Sequence, residues 1–252
     1  MRYWHQLIPV PGPTWVKPAV VSDLSMAARS GKMNYFAHGR MFLDDPCFLA
    51  GTAIPDWMNV VDRKTRLRAR LAAPFVDHHD SQLASVAAGV MQHHHDDDWF
   101  HRTRVFAELN ARLTTEIRQA FPSDTSMRVR FLAHILVELL LDAALIEENP
   151  DQLDAYYQVM DALDGQQVED AFNAMAPRPV QGLARFIGLF SAERFLYDYT
   201  DDGKLLKRLN QVMRRVQLPL LPYHTRDLLR TVRPLVRDQK ETLLTPETRP
   251  AV

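Results

Sequence analysis

Cysteine is nearly absent from this chain: one residue of 252, Cys47, carries a thiol. An intrachain disulfide is thereby excluded, and the usage fits a reducing compartment or indifference to redox state. Cys47 has no adjacent base to activate it and reads as a small buried hydrophobe. Net charge is nearly absent too, formally -1. That balance predicts neither a nucleic-acid nor a membrane partner, although it leaves room for local patches. Long apolar runs are missing. The longest, FLAHILVELLLDAALI from Phe131 to Ile146, falls short of the about 20 residues a bilayer requires and carries His134, Glu138 and Asp142. The first 32 residues hold no apolar run fit for a signal peptide, so the expected location is the cytoplasm. Strand signals are lacking as well, with no sustained apolar-polar alternation and no Asn-Gly hairpin turn.

What is present is helical pattern. At 46% hydrophobic and 24% charged residues, the chain can bury a sizeable core and does not have a disordered composition. Helices are expected near 46–53, 57–71, 81–97, 101–121, 126–148, 151–163, 166–176, 180–199, 202–216 and 220–243. Ser126, Asp151 and Asp202 are the expected N-caps, and Pro74, Pro122, Pro150, Pro177 and Pro219 mark breaks. No repeat of fixed period and no flexible linker interrupts this pattern. The expectation is one all-α domain over residues 33–244, preceded by a proline-rich, poorly ordered arm at 1–32 and followed by a tail at 245–252.

The run 131–146 is apolar on nearly every side, as in a helix inside a protein. Its polar members His134, Glu138 and Asp142 stand at i, i+4 and i+8, so they stack on one stripe with neighbours about 5–6 Å apart. Buried carboxylates without a partner would take up protons. The stripe therefore calls for a cation, either an arginine such as Arg128 or Arg130 or a metal ion.

GVMQHHHDDDWFH, Gly89 to His101, repeats the spacing: His93 precedes Asp97 by four, and Asp97 precedes His101 by four. If the helix persists, these three share a face, which can bring imidazole and carboxylate to one metal at about 2.0–2.2 Å. The alternative is a solvated charge run, the state expected of His94, His95, Asp96 and Asp98. Earlier in the chain come His38 in MNYFAH, Asp56 after a proline in GTAIPDW, and His78 and His79 in VDHHD. A lone histidine on an apolar face is more often a core residue than a ligand. Membership of the series is what makes His38, Asp56, His93, Asp97, His101, His134 and Glu138 candidate metal ligands.

At these residues the sequence resembles the acyl carrier protein phosphodiesterases. The resemblance rests on MNYFAH, on Gly51–Asp56, and on Gly89 with His93 and Asp97 downstream. It continues through ERFLYDYTDDGKLLKRLNQVMRRV, Glu193 to Val216, and covers most of Met33 to about Leu244. It implies an all-helical fold distantly related to the HD phosphohydrolases and a divalent metal such as manganese. The implied reaction is hydrolysis of the phosphodiester joining 4′-phosphopantetheine to a serine of acyl carrier protein. Two departures stand out. His134 and Glu138 occupy positions where the family has aspartates, and His94–His95 replace an arginine pair. The ligand order is also similar to that of zinc-dependent phospholipase C and the related zinc nucleases. A nitrogen-richer donor set suits zinc better than an all-carboxylate site would, with manganese and iron as the other candidates.

Two ions about 3.5–4 Å apart could activate a water and clamp phosphoryl oxygens, and one ion is the simpler case. In the two-ion arrangement Asp97 is the expected bridge, His38 and Asp56 complete one ion, and His134 with Glu138 the other. Asp142 is expected to orient a ligand by hydrogen bonding, and His79 is the candidate general acid. RLNQVMRR and Arg226, Arg230, Arg233 and Arg237 form basic helix faces. There Arg214 and Arg215 could steer acyl carrier protein or another acidic substrate, or simply be solvated surface. The functional readings are thus a metal-dependent phosphodiesterase, a zinc phospholipase- or nuclease-like hydrolase, or a non-catalytic helical metal-binding protein.

Overall fold

Pro55 does not break the chain where the sequence suggests. In the computed structural model, which describes residues 34–122 and 129–246, the short helix α1 (Tyr35–Gly39) precedes a helix α2 (Pro46–Val61) that runs straight through Pro55. Proline removes one hydrogen-bond donor, the one that would meet the Gly51 carbonyl. The buried face of Leu49, Ala50, Ala53, Ile54, Trp57 and Met58 outweighs that loss. Asp45 starts the helix by accepting from the Phe48 amide at 3.0 Å, a cap that contributes about 1 kcal/mol, with Pro46 pre-set for the first turn.

A short α3 (Ala69–Ala72) and a 3₁₀ turn (Ala73–Phe75) lead to α4 (Ser81–Phe100), capped by Asp80. Helices α2 and α4 cross at two glycines. A Cβ placed on Gly51 or Gly89 would stand 2.9 Å from the other's Cα and be driven into a backbone carbonyl, that of Val86 or Phe48. Only glycine lets the two backbones approach this closely. The crossing fixes the register of α4 on α2 and sets His93, one turn beyond Gly89, beside Thr52 of α2.

The remaining helices are α5 (Arg104–Ala120), α6 (Val129–Glu148), α7 (Pro150–Asp161), α8 (Gly165–Met175), α9 (Leu183–Glu193), α10 (Asp202–Arg215), α11 (Thr225–Arg237) and α12 (Lys240–Leu243). No strand occurs among the described residues, so the architecture is all-α. Helix α6 is the central element: every residue from Leu136 to Ile146 is buried, which accounts for its nearly unbroken apolar sequence. Helices α1, α5, α7 and α11 and a second 3₁₀ turn (Phe195–Thr200) pack around it. None of the described helices is long and apolar enough to cross a membrane.

Several boundaries shift for local reasons. Asn149 rather than Asp151 caps α7 because Pro150 takes the first helical position, and Asp201 rather than Asp202 caps α10. The segment expected as one helix over 180–199 divides at Arg194, whose φ of 46° lies in the left-handed region. The segment expected over 220–243 divides into α11 and α12. The arm at 1–32, the Ser126 cap and most of the C-terminal tail lie outside the described residues.

Candidate metal centre

Two groups of three side chains among the described residues converge closely enough to hold a metal ion, His38–His93–Asp97 and His101–His134–Glu138. In the first, α1 supplies His38 and α4 supplies His93 and Asp97. The His38 and His93 rings stack with centroids 4.3 Å apart, and both Nε2 atoms face the Asp97 carboxylate, at 3.4 Å and 3.3 Å. In the second, His101 follows the last turn of α4 while His134 and Glu138 stand one turn apart on α6. Their imidazoles also stack, 5.0 Å apart and 9° from parallel, with Nε2 atoms 3.2 Å and 2.9 Å from Glu138 Oε1.

These spacings suit a bound ion. Around a tetrahedral metal with bonds of about 2.0–2.1 Å, ligand atoms stand roughly 3.3–3.4 Å from one another. More telling are two triad nitrogens among the buried polar atoms that the fold leaves unsatisfied. Nε2 of His38 and Nε2 of His134 are both buried, close to a carboxylate, and out of line for a hydrogen bond to it. Each triad offers two imidazole nitrogens and one carboxylate, a donor set at home with zinc and compatible with manganese or iron.

Other groups hold the rings by their second nitrogens. His93 Nδ1 meets the Thr52 carbonyl at 2.7 Å, and His101 Nδ1 meets the Asp97 carbonyl at 2.8 Å. Asp97 therefore serves both groups, its side chain in the first triad and its backbone orienting the second. His38 Nδ1 faces Asp96 Oδ2 at 3.4 Å, and Asp96 is steadied in turn by Gln92 Nε2 at 2.7 Å and Trp99 Nε1 at 3.3 Å.

The electrostatics follow from this crowding. Burial opposes charge on His38, but Asp96 and Asp97 outweigh it and push the imidazole up to about 9. Burial would raise Asp97, yet His38 and His93 hold its carboxyl far below the usual carboxylate range. His101 is raised in spite of its own burial, chiefly by Glu138. Without an ion, then, the first group rests as an imidazolium–carboxylate pair, and a metal must displace a proton to enter.

Six of the seven expected ligands thus stand in the two triads. Asp56 is the exception: it lies inside α2 rather than at a turn before a helix, near Asn59 and Tyr35, and stands in neither triad. Asp97, the expected bridge between two ions, joins the first triad by its side chain and meets His101 of the second through its backbone carbonyl.

Asp142 makes no hydrogen bond to a ligand. It accepts from Asn34 Nδ2 at 2.6 Å and from the amides of Phe36 and Ala37 at 3.1 Å and 2.8 Å, so it pins the helix that carries His38. Burial pushes its carboxyl up to about 7 against those three bonds. No arginine among the described residues pairs with Glu138 or Asp142; Arg128 lies outside them.

His79 is exposed and precedes Ser81, about 18 Å of helix from His93 at about 1.5 Å per residue, so it is no general acid for this site. His94 is not solvated but meets the Leu67 carbonyl at 2.8 Å. Asp96, expected in solvent, faces His38. Helical spacing hid it, since a neighbour of Asp97 points about 100° away, and only the reach of His38's second nitrogen recruits it.

Arg214 and Arg215 are exposed in the last turn of α10 and form no ion pair among the described residues. Much of the remaining basic surface is paired: Arg230 with Asp227, Arg233 with Asp202 and Arg237 with Asp238. Comparison with protein-family models, curated proteins and solved structures finds no match to this chain.

Proposed function

We propose that this chain is a divalent-metal-dependent hydrolase of phosphodiesters. The observation that carries the reading is the pair of His–His–carboxylate triads, each with a buried imidazole nitrogen that lacks a hydrogen bond. His38, His93 and Asp97 would hold one ion, and His101, His134 and Glu138 a second. A divalent ion so held supplies Lewis acidity, bringing the pKa of a coordinated water toward neutrality and offsetting phosphoryl charge. The chain's part is positioning. Asp96, the Thr52 carbonyl and the Asp97 carbonyl keep their imidazoles turned so that Nε2 faces inward.

Zinc is the proposed ion on the donor set, ahead of manganese and iron. The proposed substrate, supported by the sequence resemblance, is the 4′-phosphopantetheine ester of acyl carrier protein, with exposed Arg214 and Arg215 as its landing point. The His134–Glu138 pair, an imidazole and a carboxylate where that family has two aspartates, favours a second reading as a zinc phospholipase- or nuclease-like enzyme.

The deciding experiment measures metal per chain in untagged protein, together with hydrolysis of bis(p-nitrophenyl) phosphate, holo-acyl carrier protein, phosphatidylcholine and single-stranded DNA. At least one equivalent of metal and cleavage of a diester are expected, both lost in Asp97→Ala and Glu138→Ala. A chain that neither contains nor takes up zinc or manganese would sink the reading. Metal without cleavage of any diester would leave a non-catalytic metal-binding protein.

A further inference from the structure

The two triads differ in how far the fold has prepared them. In the first, the side chains of His38, His93 and Asp97 are 0%, 0% and 15% exposed. In the second, His101, His134 and Glu138 are 19%, 24% and 10% exposed. Both imidazoles of the first triad have their outer nitrogen held, His38 by Asp96 and His93 by the Thr52 carbonyl. In the second only His101 is held; no hydrogen bond among the described residues orients His134. The first triad also sits where the two glycines lock α2 to α4, whereas the second depends on a residue just past the end of α4.

We propose that the triads fill in order: His38–His93–Asp97 takes a divalent ion first and retains it, and His101–His134–Glu138 takes a second, exchangeable ion that meets solvent and substrate. This order rests on the reading that both triads hold metal, while the hydrolase activity enters only through the word substrate. Partners behind a ligand commonly change metal affinity about 10–100-fold, so two held rings against one separates the sites by at least about tenfold. A closed site suits retention, and a site with an open side suits chemistry. Asp96 becomes a positioning residue for the retained ion, acting through His38.

The test titrates metal-free full-length chain with zinc by calorimetry and repeats the titration with cobalt, reading the ligand-field spectrum. Two steps at least about tenfold apart in affinity are expected. A chelator chase should then remove one equivalent quickly and the other slowly. His134→Ala should abolish the weak step and leave the tight one with its cobalt spectrum unchanged. Asp96→Asn, a near-isosteric change at a half-buried site, should weaken the tight step about 10–100-fold and alter its spectrum while sparing the weak step. Two equivalents of one affinity, a single equivalent in all, or loss of the tight step in His134→Ala would overturn the proposal. Ordered filling with no diester cleavage would sink the hydrolase reading and leave the order standing. Cleavage with two equal sites would do the reverse.

Discussion

Arg208 and Arg233 of the C-terminal helices and the histidines of the metal centre are both largely buried ionic groups, yet one set is complete and the other is not. Arg208 donates to Asp198 Oδ2 at 2.6 Å and reaches Glu193 at 2.9 Å. Arg233 donates to Asp202 at 2.7 Å and to the Tyr199 carbonyl at 3.0 Å. In these pairs donors aim at acceptors and charges cancel, which is what a brace between helices requires. His38 and His134 instead keep a buried nitrogen beside a carboxylate without a hydrogen bond. Leaving such an atom unsatisfied costs about 1–3 kcal/mol, which a purely structural ion pair has no reason to carry. Trp57 Nε1 and Arg226 Nε are also unsatisfied, so what sets His38 and His134 apart is that each such nitrogen sits in a His–His–carboxylate triad.

Four measurements test that contrast. The largest effect belongs to Gly89→Ala, which forces a Cβ into the Phe48 carbonyl and spreads the α2–α4 crossing. It should cost about 3 kcal/mol and weaken zinc uptake as well, since His93 rides on that crossing. Denaturant unfolding and a zinc titration check it, and full stability would mean the helices can part without harm. Next, Arg233→Ala should cost about 2 kcal/mol by stranding Asp202, with zinc uptake unchanged. Altered zinc binding in this variant would mean that the brace and the site are coupled.

The third concerns pH in metal-free protein. His38 is pushed up to about 9 from 6.5, so its contribution is whole below pH 6.5 and lost as pH rises through 9. Asp142, raised to about 7 from 3.8, acts in the same sense, its contribution whole below pH 3.8 and lost through 7. Thermal melts in chelator should therefore fall between pH 6 and 9. Added zinc should restore more at pH 8.5 than at pH 6, because it needs His38 deprotonated. A melting temperature that climbs over this range would contradict the His38–Asp96–Asp97 arrangement. Smallest in stability is Arg214→Glu with Arg215→Glu, within about 0.5 kcal/mol at an exposed helix end. It should nonetheless raise KM for holo-acyl carrier protein while leaving a small diester unaffected; equal KM values would remove the docking role.

The helical character was plain from the chain because α6 is apolar on all sides and its neighbours alternate at helical period, a pattern that burial alone enforces. The i,i+4 pairs His93–Asp97 and His134–Glu138 were equally legible, since one helical turn brings those side chains together whatever surrounds them. Asp96 and Asp142 were misread because their partners lie on α1, far away in sequence. Asp56 was misplaced for the opposite reason: Pro55 looked like a terminus, and packing kept the helix whole.

An all-helical chain with His/carboxylate pairs one turn apart could be read from residue order alone, because those features depend on local spacing and on the cost of burying charge. How the pairs divide depends on the folded arrangement. The glycine crossing locks α4 onto α2, α1 sets His38 beside His93 and Asp97 of α4, and the end of α4 turns His101 toward α6. Which ligand joins which group is a matter of long-range packing, and no local spacing can encode it.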